Sequence, residues 1–402
     1  MAPVCIDALA AAELEGKRVL VRVDFNVPLK NGQIQNDQRI RAALPTLKYL
    51  LNHGAKVVLV SHLGRPKAQV NDSLRLAPIG AHLAELLQQP VRSLPECVGP
   101  GVQDALQSAT EHIILLENTR FHAEEEKNDP AFAAQLAALG DIYVNDAFGT
   151  AHRAHASTAG IAAHLPAYAG LLMAKEIRAL GHLLEAPESP FVAIIGGAKV
   201  STKLAVLQNL LPKVDQLIIG GAMAYTFLAA QGQDVGRSLV EPELYETALQ
   251  LLQQAEAAQT EIVLPLDTVM AASVDAPRAA QVTRLDSPSA PELANLTGVD
   301  IGPESIARIS KALAPARTVL WNGPMGVFEN PPFASGTEAV ARILAEKSLS
   351  GCQTVVGGGD SVAAVEKLGL ADRFTHVSTG GGASLEFLEG RELPGLAVLK
   401  HN

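Results

Sequence analysis

Nine short apolar runs constrain this 402-residue chain more than any other feature, each closed by glycine or polar residues and followed by a stretch of helical spacing. In the first half they are KRVLVRVDFN (17–26), AKVVLVSH (55–62), HIILLENTR (112–120) and DIYVND (141–146). In the second half they are FVAIIGG (191–197), QLIIGG (216–221), TVLWNG (318–323), TVVGGG (354–359) and THVSTGGG (375–382). Strands this continuously rich in Val, Ile and Leu have both faces buried, as in a parallel sheet covered by helices. Two such series predict α/β architecture with two doubly wound parallel-sheet (Rossmann-like) domains. A joining helix is read at 168–190, where Leu172, Ile177, Leu180 and Leu184 recur at helical spacing before a proline-containing turn. The expected divisions are an N-terminal domain at 1–172, an interdomain helix and hinge at 173–190, a C-terminal domain at 191–388, and a tail at 389–402 that pattern does not place. Residues 275–300, rich in Pro, Ser and Asp, read as a surface excursion away from the sites.

Composition narrows the classes. The chain is 48% hydrophobic and 18% charged, with only 4% aromatic residues, so its cores must be aliphatic around the single Trp321. No apolar run reaches the ~18–20 residues that cross a bilayer, and the start lacks the basic-then-apolar pattern of a secretory signal. Cys5, Cys97 and Cys352 are too few and too scattered for a disulfide framework or a zinc site. A cytoplasmic protein is expected. Its net charge of −10 argues against nucleic-acid and anionic-membrane partners. No long apolar stripe calls for an obligate partner, so a monomer acting on small molecules is expected. The charge is uneven: residues 1–172 carry a net −2 and eight of the eleven histidines. That half suits a cationic site for a small anion inside an acidic protein.

Ligands of open parallel α/β sheets bind beyond the carboxyl ends of the strands. In the first half those ends carry Arg22, Asp24 and Asn26; His62 and Arg65; Glu117, Asn118 and Arg120; and Asn145 and Asp146, with Arg153 soon after. Arg39 opens the helix after the first strand. Any one of these arginines could serve a surface ion pair. Arg39, Arg65, Arg120 and Arg153 together point to an anion site, because guanidinium forks match phosphate and carboxylate oxygens.

The second-half strands end in glycine: Gly196–Gly197, Gly220–Gly221, Gly357–Gly358–Gly359 and Gly380–Gly381–Gly382. One such pair is usually a tight turn. Four before helix starts suggest a nucleotide-sized polyanion held by backbone N–H groups. Asp360 follows one triplet and suits either a helix N-cap or a Mg²⁺ ligand. Lys199 and Lys203, four residues apart, are read as sharing one helix face beside phosphate. Neither G-x-x-x-x-G-K-[ST] nor a helix-opening G-x-G-x-x-G occurs. Pattern alone therefore indicates a nucleotide-dependent phosphotransferase, with a non-catalytic two-lobe anion-binding protein and a nicotinamide-linked dehydrogenase as alternatives.

Read together, the motifs resemble one family over essentially the whole chain. They are RVDFNVP (22–28), HLGRP (62–66), ENTRFH (117–122), NDAFGTAHRAHAST (145–158), GGAKVSTKL (196–204), IIGGAMAYTF (218–227), WNGPMGVFE (321–329), VVGGGDS (355–361) and STGGGAS (378–384). The chain resembles the phosphoglycerate kinases. The resemblance implies phosphoryl transfer between 1,3-bisphosphoglycerate and MgADP, giving 3-phosphoglycerate and ATP. It implies a glycerate site in which Asp24, Phe25 and Asn26 meet the hydroxyl and carboxyl region. His62, Leu63, Gly64, Arg65, Arg120 and Arg153 would surround the remote phosphate, with Arg39 near the reacting carboxyl. On the nucleotide side it implies Lys203 on phosphates and Glu329 on ribose. The Gly196–Gly197 and Gly220–Gly221 turns would lie by adenine and ribose. Asp360 would hold Mg²⁺, and Gly358, Gly359 and Ser361 would lie around the phosphates. Arg39, Lys199 and the Gly381 and Gly382 N–H groups would meet the phosphoryl group in transfer.

Overall fold

The structure is a computed structural model that describes residues 3–275, 281–285 and 291–399. The chain divides into two compact units, one running to Arg178 and regaining the segment from Glu392 onward, the other spanning Ala179–Arg391. The tail segment thus belongs with the first unit.

In the first unit six parallel strands form one sheet: β1 (Arg18–Arg22), β2 (Lys56–Val60), β3 (Val91–Ser93), β4 (Ile113–Leu115), β5 (Ile142–Asn145) and β6 (Ala167–Ala169), ordered β3-β4-β2-β1-β5-β6. Four of them are the predicted runs. β3 and β6 leave no sequence signal, because VRS and AYA are too short for periodicity to register. Val19, Val21, Val57, Leu59, Ile113 and Val144 build the core with Ile40 and Leu47 of the Gln38–Asn52 helix. The strand order reverses beside β1, which pairs with β2 on one edge and β5 on the other. Arg22 sits level with Val60 and Asn145. The residues just beyond these ends therefore emerge at one rim of the sheet, as the switch-point rule requires.

The second unit repeats the plan with β7 (Phe191–Ile195), β8 (Gln216–Ile219) and β9 (Glu261–Val263) on one side of the switch point. A small antiparallel sheet, β10 (Asp267–Ala271), β11 (Gln281–Arg284) and β12 (Thr297–Ile301), intervenes in sequence. The parallel sheet then resumes with β13 (Thr318–Asn322), β14 (Gln353–Gly357) and β15 (His376–Val377). The parallel order is β9-β8-β7-β13-β14-β15. Two doubly wound α/β units are what the sequence predicted. Ile195 and Asn322 lie side by side, so the turns after β7 and β13 start as neighbours. Trp321 is fully buried in the aliphatic core of this unit, among Val192, Ile194, Val319 and Val356, and its indole N–H donates to the Gly323 carbonyl at 2.8 Å.

Candidate active site

Beyond β1, the chain segment Asp24–Asn26 is held in place by its neighbours. The Phe25 N–H donates to Ser61 Oγ at 3.0 Å, and the Gly64 N–H donates to Asn26 Oδ1 at 2.9 Å. Arg39, second residue of its helix, pairs with Asp24 at 3.1 Å and donates to the Asn26 carbonyl at 3.1 Å. An ion pair is thus part of Arg39's role in the free protein. About a third of its side chain is exposed, which leaves the guanidinium accessible.

The rim after β2 and β4 is organised by Asn118, which is fully buried. Its amide donates to the Leu63 carbonyl at 2.8 Å and the Leu74 carbonyl at 3.0 Å, and its oxygen accepts from the N–H groups of Leu63 (3.2 Å) and Arg120 (3.1 Å). Every hydrogen-bonding capacity of that amide is used to fix HLGRP against ENTRFH. Arg120 is buried and donates to the Gly64 carbonyl at 2.8 Å. Burial lowers its pKa to about 10, with Arg153 and Arg22 acting in the same direction against Glu126. Arg153 is half-buried and donates through Nε to His152 at 3.1 Å; Arg65 is exposed. His62 is buried, and burial together with Arg22, Arg120, Arg39 and Arg153 holds its pKa well below the usual imidazole range. His155 is pushed down to about 4 by burial and by Arg120, Arg22 and Arg153. Four arginines therefore act on one buried imidazole, which is the physical signature of a concentrated positive field. A dianion would relieve it.

In the second unit a cavity of about 260 Å³ opens at the switch point. Gly197, Ala198, Gly221, Ala222, Tyr225, Gly298, Val299, Pro324, Met325, Gly326, Val327, Glu329 and Asp360 line it. Four of these were predicted: Gly197, Gly221, Glu329 and Asp360. The mostly apolar wall with one carboxylate at each of two places suits a flat heterocycle with a polar edge. Gly221 has a φ of +66°, and a Cβ there would lie 2.5 Å from the Gly197 carbonyl oxygen. Gly196 and Gly220 do not line the cavity; side chains on them would run into Pro324 and Met325. Their glycines serve close packing of neighbouring turns.

Lys203 and Lys199 depart from the expected shared helix face. The helix begins only at Leu204, so both lysines precede it. The separation follows from the irregular turn after Gly197. Lys203 donates to Asn322 Oδ1 at 2.6 Å, and burial lowers its pKa against the pull of Asp360 and Glu389. Lys199 is exposed. Gly358, with φ +84°, precedes the Gly359–Lys367 helix, whose second residue, Asp360, is exposed. Ser361 is buried and accepts from the Gly323 N–H at 2.6 Å, joining the turns after β13 and β14. Gly381 lies at the start of the Gly382–Leu388 helix, ordered by Ser378, which accepts from the Gly380 N–H at 3.1 Å and bonds Ser384 at 2.6 Å.

A model of the phosphoglycerate kinase family matches residues 9–391. The chain belongs to the phosphoglycerate kinase family. It is 53% identical over 401 residues to the phosphoglycerate kinase of Dictyoglomus turgidum, covering 100% of both chains. It is 57% identical over 388 residues to that of Moorella thermoacetica, covering 96% of this chain and 97% of the relative. The solved phosphoglycerate kinase of Coxiella burnetii superposes with a TM-score of 0.86 at 42% identity, with 98% of each chain covered. That of Pyrococcus horikoshii gives 0.81 at 34% identity, again with 98% of each covered.

For this family member the 275–300 reading needs correction. Gly298 and Val299 of β12 form part of the cavity wall, with Gly298 packed tightly on the Tyr225 hydroxyl. Residues 276–280 and 286–290 of that stretch lie outside the described residues. Sequence reasoning misses Gly298 and Val299 because only the antiparallel excursion returns them to the switch point. It also leaves Asn118, His155 and Asn322 without roles, although all three stand in or beside the quoted motifs.

Proposed function

We propose that the chain transfers a phosphoryl group reversibly between 1,3-bisphosphoglycerate and ADP, giving 3-phosphoglycerate and ATP in glycolysis and its reversal. The observation that carries this reading is the pairing, in a phosphoglycerate kinase family member, of an arginine-rich strand rim in one unit with a glycine-walled cavity in the other. The glycerate phosphate is assigned to His62, Arg65, Arg120 and Arg153, and its hydroxyl and carboxyl region to Asp24, Asn26 and Arg39. Adenine and ribose are assigned to the cavity with Glu329. The nucleotide phosphates are assigned to Lys203 and the Gly358–Ser361 turn. Arg39, Lys199 and the Gly381 and Gly382 N–H groups are assigned to the migrating phosphoryl.

The chemistry asks little covalent work of the protein. In the ATP-consuming direction the nucleophile is a carboxylate, already ionised at neutral pH, so no general base is needed. What lowers the barrier is alignment and neutralisation of the charge on the phosphoryl oxygens. Magnesium fits the residues present. It is usually bound through one or two carboxylates with phosphate and water oxygens, and Asp360 offers one exposed carboxylate on the cavity wall. Among the described residues no cluster of three acidic, His or Cys side chains offers an alternative. Bound there, the ion would supply charge neutralisation to the nucleotide phosphates.

Assigning the two substrates to separate units requires a hinge closure that brings the reacting atoms to about 3–3.5 Å and expels water. The same reading makes the enzyme a cytoplasmic monomer; no helix among the described residues is long and apolar enough to cross a membrane. The deciding experiment is a coupled assay of ATP formation from 1,3-bisphosphoglycerate and MgADP. Absence of turnover by the purified chain, with anion binding retained, would favour the non-catalytic two-lobe reading instead.

A further inference from the structure

We propose that Arg22 is a positioning residue for the glycerate site: it locks the His62 ring in the Nε2–H tautomer, so that the histidine meets the anionic substrate as a neutral hydrogen-bond donor. This rests on the assignment of His62 to that site. Arg22 ends β1 and is 1% exposed. Its Nη2 lies 3.0 Å from His62 Nδ1. A guanidinium carries donors only and does not lose its proton in proteins. His62 Nδ1 must therefore present its lone pair, and the single proton of the neutral ring resides on Nε2.

The lock is itself held. Arg22 Nε donates to Ser157 Oγ at 2.8 Å, and its Nη1 donates to the Val23 carbonyl. Ser157 donates its hydroxyl to Glu125 Oε1 at 2.5 Å and its N–H to Oε2 at 3.0 Å. Glu125 is fully buried. The guanidinium is thus clamped by the residue that follows β1, by the segment after Arg153 and by the imidazole.

Protonating His62 would require Nδ1 to give up this bond and place a second cation against the guanidinium. Arg39, Arg120 and Arg153 add to the same opposition. The carboxylates at this rim are engaged elsewhere, Asp24 with Arg39 and Glu125 with Ser157. The consequence for recognition is specific. In a field already supplied by arginines, His62 adds direction without adding a charge that would titrate between about pH 5 and 8.

The test uses the full chain with ¹⁵N-labelled histidine. Two-bond ¹H–¹⁵N correlation spectra are recorded across that pH range, with the His62 signals identified by their loss in His62→Gln. The expected spectrum shows an unprotonated Nδ1 and a protonated Nε2 that stay unchanged throughout. In Arg22→Leu, Nδ1 loses its donor and the Nδ1–H tautomer becomes populated. The KM for 3-phosphoglycerate rises about tenfold, while kcat changes little. An Nδ1–H tautomer in the wild type, an ordinary His62 titration, or an unaltered tautomer in folded Arg22→Leu would overturn the proposal. The wild-type spectrum decides alone if Arg22→Leu does not fold. A wild-type chain with the expected spectrum but no turnover in the coupled assay would uphold the lock and sink the functional reading.

Discussion

The two lysines after Gly197 differ in their surroundings. Lys203 is committed to Asn322, whereas Lys199 is exposed and free to follow a moving group. Under the proposed assignment of Lys199 to the migrating phosphoryl, Lys199→Ala is expected to lower kcat by about 10²–10³ with KM for either substrate nearly unchanged. Steady-state kinetics in both directions check this, and near-wild-type turnover removes Lys199 from that role. Arg65→Ala should behave oppositely, raising KM for 3-phosphoglycerate about tenfold with kcat retained. A change confined to nucleotide KM would reverse the assignment of substrates to units. Asn118 carries a structural burden instead. Asn118→Ala leaves the Leu63 and Leu74 carbonyls and two N–H groups without their partner in a buried place, a loss of about 2–3 kcal/mol in denaturant unfolding. The arginines and glycines of these motifs are legible from sequence because residue type and position after a strand already define their chemistry. Asn118 is legible only as a polar residue; that it organises the rim depends on which loops the fold brings around it.

At the level of elements, the turns and helix starts bear the strain and the charge. Gly221→Ala would place a methyl against the Gly197 carbonyl in a backbone conformation that L-residues rarely adopt. A rise of at least tenfold in nucleotide KM is expected, with the 3-phosphoglycerate KM held, since only the cavity wall is displaced. Asp146 lies one residue beyond β5, and its Oδ1 accepts from the Leu172 and Met173 N–H groups at 3.0 and 3.2 Å, at the start of the Leu171–Glu185 helix. Burial raises its pKa from 3.8 to about 7 despite hydrogen bonds from Thr46, Met173 and Leu172. A folded-state pKa above the unfolded one means that the group's stabilising contribution is full below about pH 4 and is lost as pH rises through about 7. Asp146→Asn keeps the accepting oxygen without the charge. Its stability, followed by thermal unfolding from pH 4 to 8, should be flatter with pH than that of the wild type and higher at the alkaline end. Equal slopes would show that Asp146 does not titrate in this window. Sequence marks 168–190 as a helix by its apolar spacing, yet the residue that caps it comes from the end of β5.

For the molecule as a whole, the functional reading requires compaction when both substrates are present. Small-angle scattering with 3-phosphoglycerate and a MgATP analogue together should give a smaller radius of gyration than either alone; no change would count against closure. The doubly wound plan of each unit was determined by the sequence itself, because the alternation of buried strands with amphipathic helices is a local property written every few residues. The sequence also put arginines and glycines after the strand ends, where such sheets present their ligands. Tertiary structure alone decided which of those groups meet. Arg22 reaches His62 across 40 residues, and Lys203 reaches Asn322 across 119. Gly298 and Val299 reach the cavity only through the antiparallel excursion. Such pairings depend on strand order and register, which bring distant segments within hydrogen-bond range, and no periodicity within a segment encodes its distant neighbour.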